Sequence, residues 1–562
     1  MAAAAIGVRT PRPRVAPALI LALVSLGAPG LGLTACGARA SDREAAALAG
    51  QLRQVYGPAT APWERWRHRQ TVRLPDGREL ARDQAFRDDP HFPGACRVLL
   101  ASRSGDEASL GAWLLGTVPA SRAAEVEPAL VEALTSADSR AAFEAALSLE
   151  RVGGRTAIPA LEGAALSGAA PELRTAAQVA IEEIERRRPG PANEVRNEVR
   201  DDSRRGEPIA AGAASGSAPG LAPSFRRGVS WWWSEAGPDA GVSSFRRLRA
   251  LGVTWVSIHT WDPLQRGLHD PVFAEARHPF VLRDLDAIVK NAHQAGLAVM
   301  LKPHLEMRPR GGGETGDHNR IEMESEADWR QWFRNYETYL LSYAQAARAT
   351  GADAFCVGRE LDTSVIRRES DWRRIIAGVR KVFPGPLAYS ANFDTWHGVG
   401  FWDALDFIGV SAYFPLSDRP DPSLDDLAAG WGRALGPLEE ASRRYGRPVL
   451  FTEVGYPSVP EAARAPWREA RLPADVWLQA RCYDATLHAL AQRPWIAGAF
   501  FWLWERSAEP AFRDPSHTLP GKPAAYVMAR WYRPGAELRR PDAPAAKAPR
   551  PAVPAPTSRP AG

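Results

Sequence analysis

The feature that most limits how this chain can fold is a regular alternation, between residues 226 and 533, of short apolar runs with long amphipathic segments. Eight runs are present, at 228–231, 255–258, 298–302, 354–358, 387–390, 407–410, 449–452 and 498–502. Each is too short for a helix and sits between turn residues, the pattern of a strand buried on both faces. Between them, residues 242–251, 282–295, 327–350, 372–382, 424–444 and 474–492 repeat apolar side chains at helical spacing. Parallel strands need a crossover, and a helix supplies it. Eight such units in one stretch predict an α/β fold, a (β/α)8 barrel over 225–533, rather than an open sheet.

A chain of 562 residues exceeds one ordinary domain. Residues 41–188 are Ala- and Leu-rich, and helical spacing recurs at 123–134, 139–152, 157–166 and 170–187, which predicts a small all-α domain. Two units are visible, opened by Val126-Glu127-Pro128-Ala129-Leu130 and Ala157-Ile158-Pro159-Ala160-Leu161. The phrase resembles HEAT-type repeats, which stack helix pairs against their neighbours. Such a segment is either a docking surface for a protein partner or a spacer that holds the barrel away from a membrane. Residues 189–224 and 534–562 are dominated by Pro, Gly, Ala and Ser. They bury too little to order themselves and read as a disordered linker and tail.

Residues 1–36 read as an export signal, with Arg9, Arg12 and Arg14 ahead of an apolar stretch broken by Pro17, Gly27 and Pro29. The stretch ends in Leu33-Thr34-Ala35-Cys36-Gly37, which resembles the bacterial lipobox. That likeness implies a lipid on Cys36 and an exported protein anchored to a membrane of the cell envelope; an ordinary cleaved signal would leave it secreted.

The net charge of +5 comes from arginines interleaved with acids along the chain, so no nucleic acid partner is expected. The four cysteines, Cys36, Cys96, Cys356 and Cys482, show neither a disulfide framework nor a CxxC spacing. HExxH, EF-hand and Gly-x-Ser-x-Gly elements are missing from the sequence, and neither a metal nor a cofactor is expected. The glycine-rich stretch 310–319 lacks the Lys-Ser or Lys-Thr of a phosphate loop and reads as a mobile cover over a cleft.

An ionisable side chain at the end of a barrel strand lies on the face where such enzymes work. Two glutamates stand there: Glu360 after the fourth run and Glu453 after the seventh. Other strand ends offer Trp231, Trp232, Trp233, His259, Trp261, Lys302, His304, Asn392, Tyr413, Trp502 and Trp504. All but three of the twenty tryptophans, Trp63, Trp66 and Trp113, fall in the barrel stretch. Flat aromatic faces suit the C–H faces of sugar rings. Trp231, Trp261, Trp396, Trp502 and Trp504 are read as such platforms, whereas Trp329, Trp332 and Trp477 are read as packing helices onto the barrel. Tyr413 either orients Glu453 or is a core residue; His259 and His304 either bind hydroxyls or are structural. Asp262, Glu306 and Glu505 are the competing carboxylates if the strand register is displaced.

Leu301-Lys302-Pro303-His304, Val357-Gly358-Arg359-Glu360-Leu361 and Phe451-Thr452-Glu453-Val454-Gly455-Tyr456 together resemble glycoside hydrolase family 113 across roughly 225–532. That resemblance implies Glu360 as general acid/base, Glu453 as nucleophile and β-1,4-mannan as substrate, without a cofactor. Arg359 departs from the clan, which commonly carries Asn there to contact the sugar 2-hydroxyl, so manno or gluco preference stays open. In such a pair, burial and the nucleophile's charge should raise the Glu360 pKa. Two further readings stand beside hydrolysis: a barrel that grips polysaccharide without cutting it, and a cell-envelope interaction scaffold.

Overall fold

The structure, a computed structural model, describes residues 33–55, 71–73, 79–81, 89–187, 220–232, 239–265, 267–274, 280–307, 318–468, 472–491, 493–505 and 511–533. The expected leader up to residue 32, most of the expected linker (188–219) and the tail from residue 534 lie outside them.

Among the described residues seven helices come first: α1 (Leu33–Val55), α2 (Phe92–Leu100), α3 (Gly105–Leu115), α4 (Ala123–Ala133), α5 (Ser139–Val152), α6 (Ile158–Ser167) and α7 (Pro171–Arg187). A two-stranded antiparallel pair, β1 (Thr71–Arg73) and β2 (Glu79–Ala81), lies between α1 and α2, in a stretch read from sequence as helical. The repeats extend one pair further toward the N-terminus than the recurring phrase shows. α2 and α3 carry Pro93 and Gly111 instead of that phrase, and their Cys96, Leu99, Leu110 and Leu114 are buried in the same core.

Eight parallel strands then close into a barrel: β3 (Arg226–Trp232), β4 (Trp255–Gln265), β6 (Ala298–Met307), β7 (Ala354–Arg359), β8 (Leu387–Asn392), β9 (Ile408–Ser411), β10 (Val449–Val454) and β11 (Ile496–Trp504). Each pairs with its sequence neighbour, and β3 pairs with both β4 and β11 to shut the ring. A two-residue strand, β5 (Phe273–Ala274), adds antiparallel to β4. Every apolar run named from sequence falls on one of these eight strands, apart from Phe407, which immediately precedes β9.

Around the barrel stand α8 (Asp239–Ala250), α9 (Phe280–Gln294), α10 (Glu326–Thr350), α11 (Asp362–Arg367), α12 (Glu369–Val382), α13 (Leu424–Tyr445), α14 (Val476–Ala491) and α15 (Pro523–Tyr532). Local chemistry sets their ends. Ser325 and Ser423 accept bonds from Asp328 and Asp426 backbone N–H groups, satisfying donors left open in a first turn, and Gly351 and Gly446 end α10 and α13 at positive φ. Between β8 and β9 only short 3-10 turns occur, at Trp396–Gly398 and Trp402–Ala404.

The barrel interior is layered. At its N-terminal end Met300, Ala354, Ala388, Phe407, Leu450 and Phe500 form a separate apolar cluster. Further along the strands, two residues past Ala388 and Leu450 and four past Phe407, Ser390 Oγ lies 2.6 Å from Thr452 Oγ1 and 3.0 Å from Ser411 Oγ. The chemistry-bearing residues lie above this hydroxyl layer.

The helical array packs against the side of the barrel. Phe143 of α5 meets Tyr526 of α15 edge-on at 5.3 Å and Trp477 of α14 at 6.1 Å. Trp477 therefore packs the array rather than the barrel. Arg247 of α8 donates to Glu150 Oε2 (2.6 Å) and to the Tyr526 hydroxyl (2.7 Å), and Arg533 pairs with Glu182 at 2.5 Å. Beside them Glu144 is buried, and burial, partly offset by Arg151, pushes its carboxyl up to about 8. The truncation Phe143→Ala opens a cavity at the seam and should cost about 3–5 kcal/mol. Calorimetry should show one cooperative transition moved to lower temperature, because array and barrel share that packing.

Candidate active site

Glu453 and Lys302 are fully buried charged groups at the barrel mouth. The ladder between β10 and β9 runs Phe451↔Val410 and then Glu453↔Ser411, a bulge that breaks strict alternation. Thr452 and Glu453, adjacent in sequence, both serve the interior as a result. Glu453 is 0% exposed. Its Oε1 accepts from Lys302 Nζ (2.7 Å) and Arg359 Nε (2.7 Å), and its Oε2 accepts from the Tyr413 hydroxyl (2.9 Å). Burial alone would push this carboxyl up; Arg359 and then Lys302 outweigh it and hold Glu453 well below the usual carboxylate range.

Glu360 follows β7 with φ +50, the left-handed region that a side chain enters at a cost of about 1–3 kcal/mol. Its backbone N–H donates to the Ser390 carbonyl (2.8 Å), and the next N–H, of Leu361, donates to the Tyr389 hydroxyl (2.8 Å). Those bonds hold the strained turn. Just before it, Gly358 leaves open the space where a Cβ would meet Trp372, Tyr336 and Tyr389 at 2.9, 2.9 and 3.0 Å. Glu360 is 7% exposed. Its Oε2 lies 3.1 Å from Arg359 Nη2 and 3.2 Å from His318 Nε2.

Burial raises the Glu360 carboxyl, but Arg359 and His318 lower it by more, against Glu453, and the net direction is down. That is the reverse of the sequence expectation, which counted burial and the partner carboxylate but not the two bases. Arg359 thus touches both glutamates. Its own pKa is pressed down by burial and raised further by the two carboxylates, so it is a permanent cation.

The remaining residues sort by strand parity and loop. Lys302 is 0% exposed, with Nζ also donating to the Thr452 carbonyl (3.3 Å), so it serves Glu453 and offers nothing to a substrate. His304 stands 3.3 Å from Arg359 Nη1 and ring-to-edge on His318. His259 lies beside Ser257 Oγ (3.3 Å) and against Trp502. Both rings are held well below the usual imidazole range, first by burial and then by Arg359 and Lys302 respectively, so they are neutral. Asn392 donates to Asp362 Oδ2 (2.9 Å), just past Glu360.

Trp502 is half-buried among Trp232 (5.6 Å), His259 (5.0 Å) and the Arg359 guanidinium (5.8 Å). Gly455 admits it, since a Cβ there would meet the Trp502 carbonyl at 2.9 Å. Trp231 is a correction: it is 4% exposed and packs on Phe245 of α8, because Ser230 and Trp232 take the inward positions of β3. Trp504 is buried in the main core, past a register shift in β11 that separates its environment from that of Trp502. Trp396 is half-buried in the connection after β8, with its carbonyl accepting from Trp402 Nε1. Trp261 pairs with His304 in the ladder; its side chain, those of Asp262 and Glu306, and all of Trp233 lie outside the described residues. Glu505 directly follows β11. Trp329 and Trp332 pack in the α10 layer, as expected.

His318 was not among the residues singled out from sequence. It stands one residue before the end of the glycine-rich stretch 310–319, of which 310–317 lie outside the described residues, and a loop histidine outside the strand runs gives no periodic signal. Among the described residues no three His, Cys, Asp or Glu side chains converge as metal ligands do.

A closed (β/α)8 barrel with a carboxyl pair at its mouth places the chain among the glycoside hydrolases. It belongs to Glycoside Hydrolase Family 113, whose profile matches residues 231–522, more than half of the 562. HEAT repeats match residues 93–182. Among solved structures it is similar to the family 113 β-mannanase of Alicyclobacillus acidocaldarius in complex with ManMIm, at 31% identity and TM-score 0.48, covering 56% of this chain and 99% of that one. A family 113 β-1,4-mannanase, solved as a complex, matches at 27% identity and TM-score 0.48, covering 55% and 98%. No curated protein matches the chain.

Lys302→Met keeps the stem and removes the cation. A carboxyl held below its ordinary value is stabilised as the anion above that value and loses the benefit as pH falls through the lowered one. Without Lys302 the Glu453 pKa rises, and the acidic limb of kcat/KM should move to higher pH in a pH–rate profile.

Proposed function

We infer that this enzyme hydrolyses β-linked polysaccharide, with β-1,4-mannan as its main substrate, by a retaining double displacement in which Glu453 is nucleophile and Glu360 general acid and base. The observation that carries this reading is the single guanidinium of Arg359 bonded to both carboxyls. The bonds end on neighbouring nitrogens of one planar fork. That supports the closer of the two spacings known for such pairs, about 5 to 5.5 Å, which goes with retention.

In the first step the ionised Glu453 attacks the anomeric carbon, and the bond to the departing oxygen breaks as Glu360 gives that oxygen its proton. Bound sugar excludes water and takes His318 off the Glu360 carboxyl, which raises its pKa enough to hold that proton. The ester on Glu453 is neutral. Arg359 is then left with one carboxylate, Glu360, and holds it charged and ready to act as base; water gives Glu360 its proton and attacks the anomeric carbon as the bond to Glu453 breaks and that carboxylate is restored. A shared cation thus follows the negative charge from one glutamate to the other. The substrate class rests on the family motifs read above, and Arg359 in the place of the usual Asn leaves Asn392 and the neutral His259 and His304 to read the sugar hydroxyls.

Incubation with mannan, glucomannan, xylan and mixed-linkage glucan should release oligosaccharides from the first two, with β anomers appearing first by NMR. Glu453→Gln should lower kcat on the order of 10⁴-fold in a chain that still folds, with a lowered melting temperature because Lys302 loses its buried partner. Full activity in that variant defeats the assignment.

The same inference includes export and a lipid on Cys36, supported by the arginines and apolar stretch ahead of Leu33-Thr34-Ala35-Cys36. Cys36 itself falls within α1, and no helix among the described residues is long and apolar enough to cross a membrane. In a bacterial host the parent should sediment with membranes and Cys36→Ser should not.

A further inference from the structure

Among the described residues, one aromatic belongs to the exposed large hydrophobic side chains: Trp467, 49% exposed, in the connection between β10 and α14. Its indole holds a broad apolar face out to solvent at the barrel mouth. Its position is built from two sides. The ring lies on Phe393, with centroids 5.1 Å apart and planes 20° apart. The preceding carbonyl, of Pro466, is 2.7 Å from His517 Nε2. A carbonyl only accepts, so Nε2 carries the proton and donates. His517 is buried, and burial first of all lowers its pKa to about 4, which keeps the ring neutral and the anchor unchanged at working pH.

The stack leads back to the chemistry. Phe393 meets Phe414 edge-on at 5.8 Å. Phe393 follows Asn392, which bonds Asp362 beside Glu360, and Phe414 follows Tyr413, which bonds Glu453. The row Phe414, Phe393, Trp467 therefore starts at residues tied to both catalytic carboxyls and runs outward over the connections after β8, β9 and β10. Phe393 covers one side of the indole.

We propose that Trp467 is a binding platform for a pyranose unit of the same β-linked chain, in a subsite beyond the sugars flanking the cleaved bond. A rigid ring fixed by stacking and by a neighbouring anchor offers a flat apolar face at low entropy cost, which matches the C–H face of a sugar better than a peptide or a lipid. This subsite rests on the hydrolase reading given above and extends it to long substrates. Its occupant reaches Trp467 only if the chain is longer than the part held at the centre.

The test is a chain-length series. With β-1,4-mannotriose and mannohexaose as substrates, Trp467→Ala should leave the trimer's kcat/KM unchanged and lower the hexamer's about tenfold, mostly through KM, a loss worth about 1.4 kcal/mol. Trp467→Phe should restore most of it. Equal losses on trimer and hexamer would point to a structural role and overturn the proposal, as would no loss on either. A shift from dimer to monomer on sizing, with unchanged kinetics, would give the face to a second copy and overturn it too. If the parent cleaves neither oligosaccharide, the hydrolase reading has failed instead. Calorimetry with mannohexaose then decides on this subsite alone: weaker binding to Trp467→Ala keeps it, and equal binding removes it.

Discussion

A carboxylate with no contact to water sits at the centre of this barrel, and the arrangement around it follows from that. Leaving one ion uncompensated in such a place costs several kcal/mol, so Glu453 must be met by fixed donors. Lys302 arrives from β6, Arg359 from β7 and Tyr413 from the end of β9. All three are buried or nearly so, and each can turn inward only in one strand register. A one-residue slip in any of these strands would send a donor out among the helices and leave the charge unpaired. The ion therefore ties the register of half the barrel to the chemistry at its mouth.

Depth sorts the interior into layers. An apolar plug fills the N-terminal end, hydroxyls of Ser390, Ser411 and Thr452 satisfy one another above it, and only then do charges appear. Hydroxyls can donate and accept among themselves without a net charge, so they make a transition from apolar packing to ions that neither pure layer could. The two glutamates lie at different heights on this gradient. Glu453 is closed off by fixed donors, whereas Glu360 is slightly exposed and keeps a loop histidine as partner. The deeper group is surrounded by strand-borne donors, whereas the shallower one has a loop side chain among its partners.

The sequence carried the barrel because buried parallel strands announce themselves as short continuous apolar runs, and all eight did. It carried the glutamates because each ends such a run. Side-chain direction was less accessible. Trp231 and Trp232 differ by one residue, so parity decides which enters the mouth, and nothing local distinguishes them. Lys302 read as a substrate contact because its partner lies 151 residues away. The pKa of Glu360 was misjudged for the same reason: His318 comes from a loop with no periodicity, and Arg359 was weighed only against a sugar. Trp467 also escaped, since no strand end marks it; its setting depends on Phe393 and His517, both distant in sequence.

One helix joins the two halves of the molecule. α14 receives Phe143 of the helical array on Trp477 at its outer side. On its inner side Gln479 donates to the Tyr456 carbonyl (2.8 Å) and Tyr483 to the Trp502 carbonyl (3.0 Å), while Tyr483 stacks on Phe501 at 4.5 Å. Those contacts brace the ends of β10 and β11, which bear Glu453 and Trp502. The array so attached touches the barrel through α8, α14 and α15, away from the connections after β8, β9 and β10. It can stiffen the strands under the site without crowding the open face, which is what a centre built on fixed donors needs.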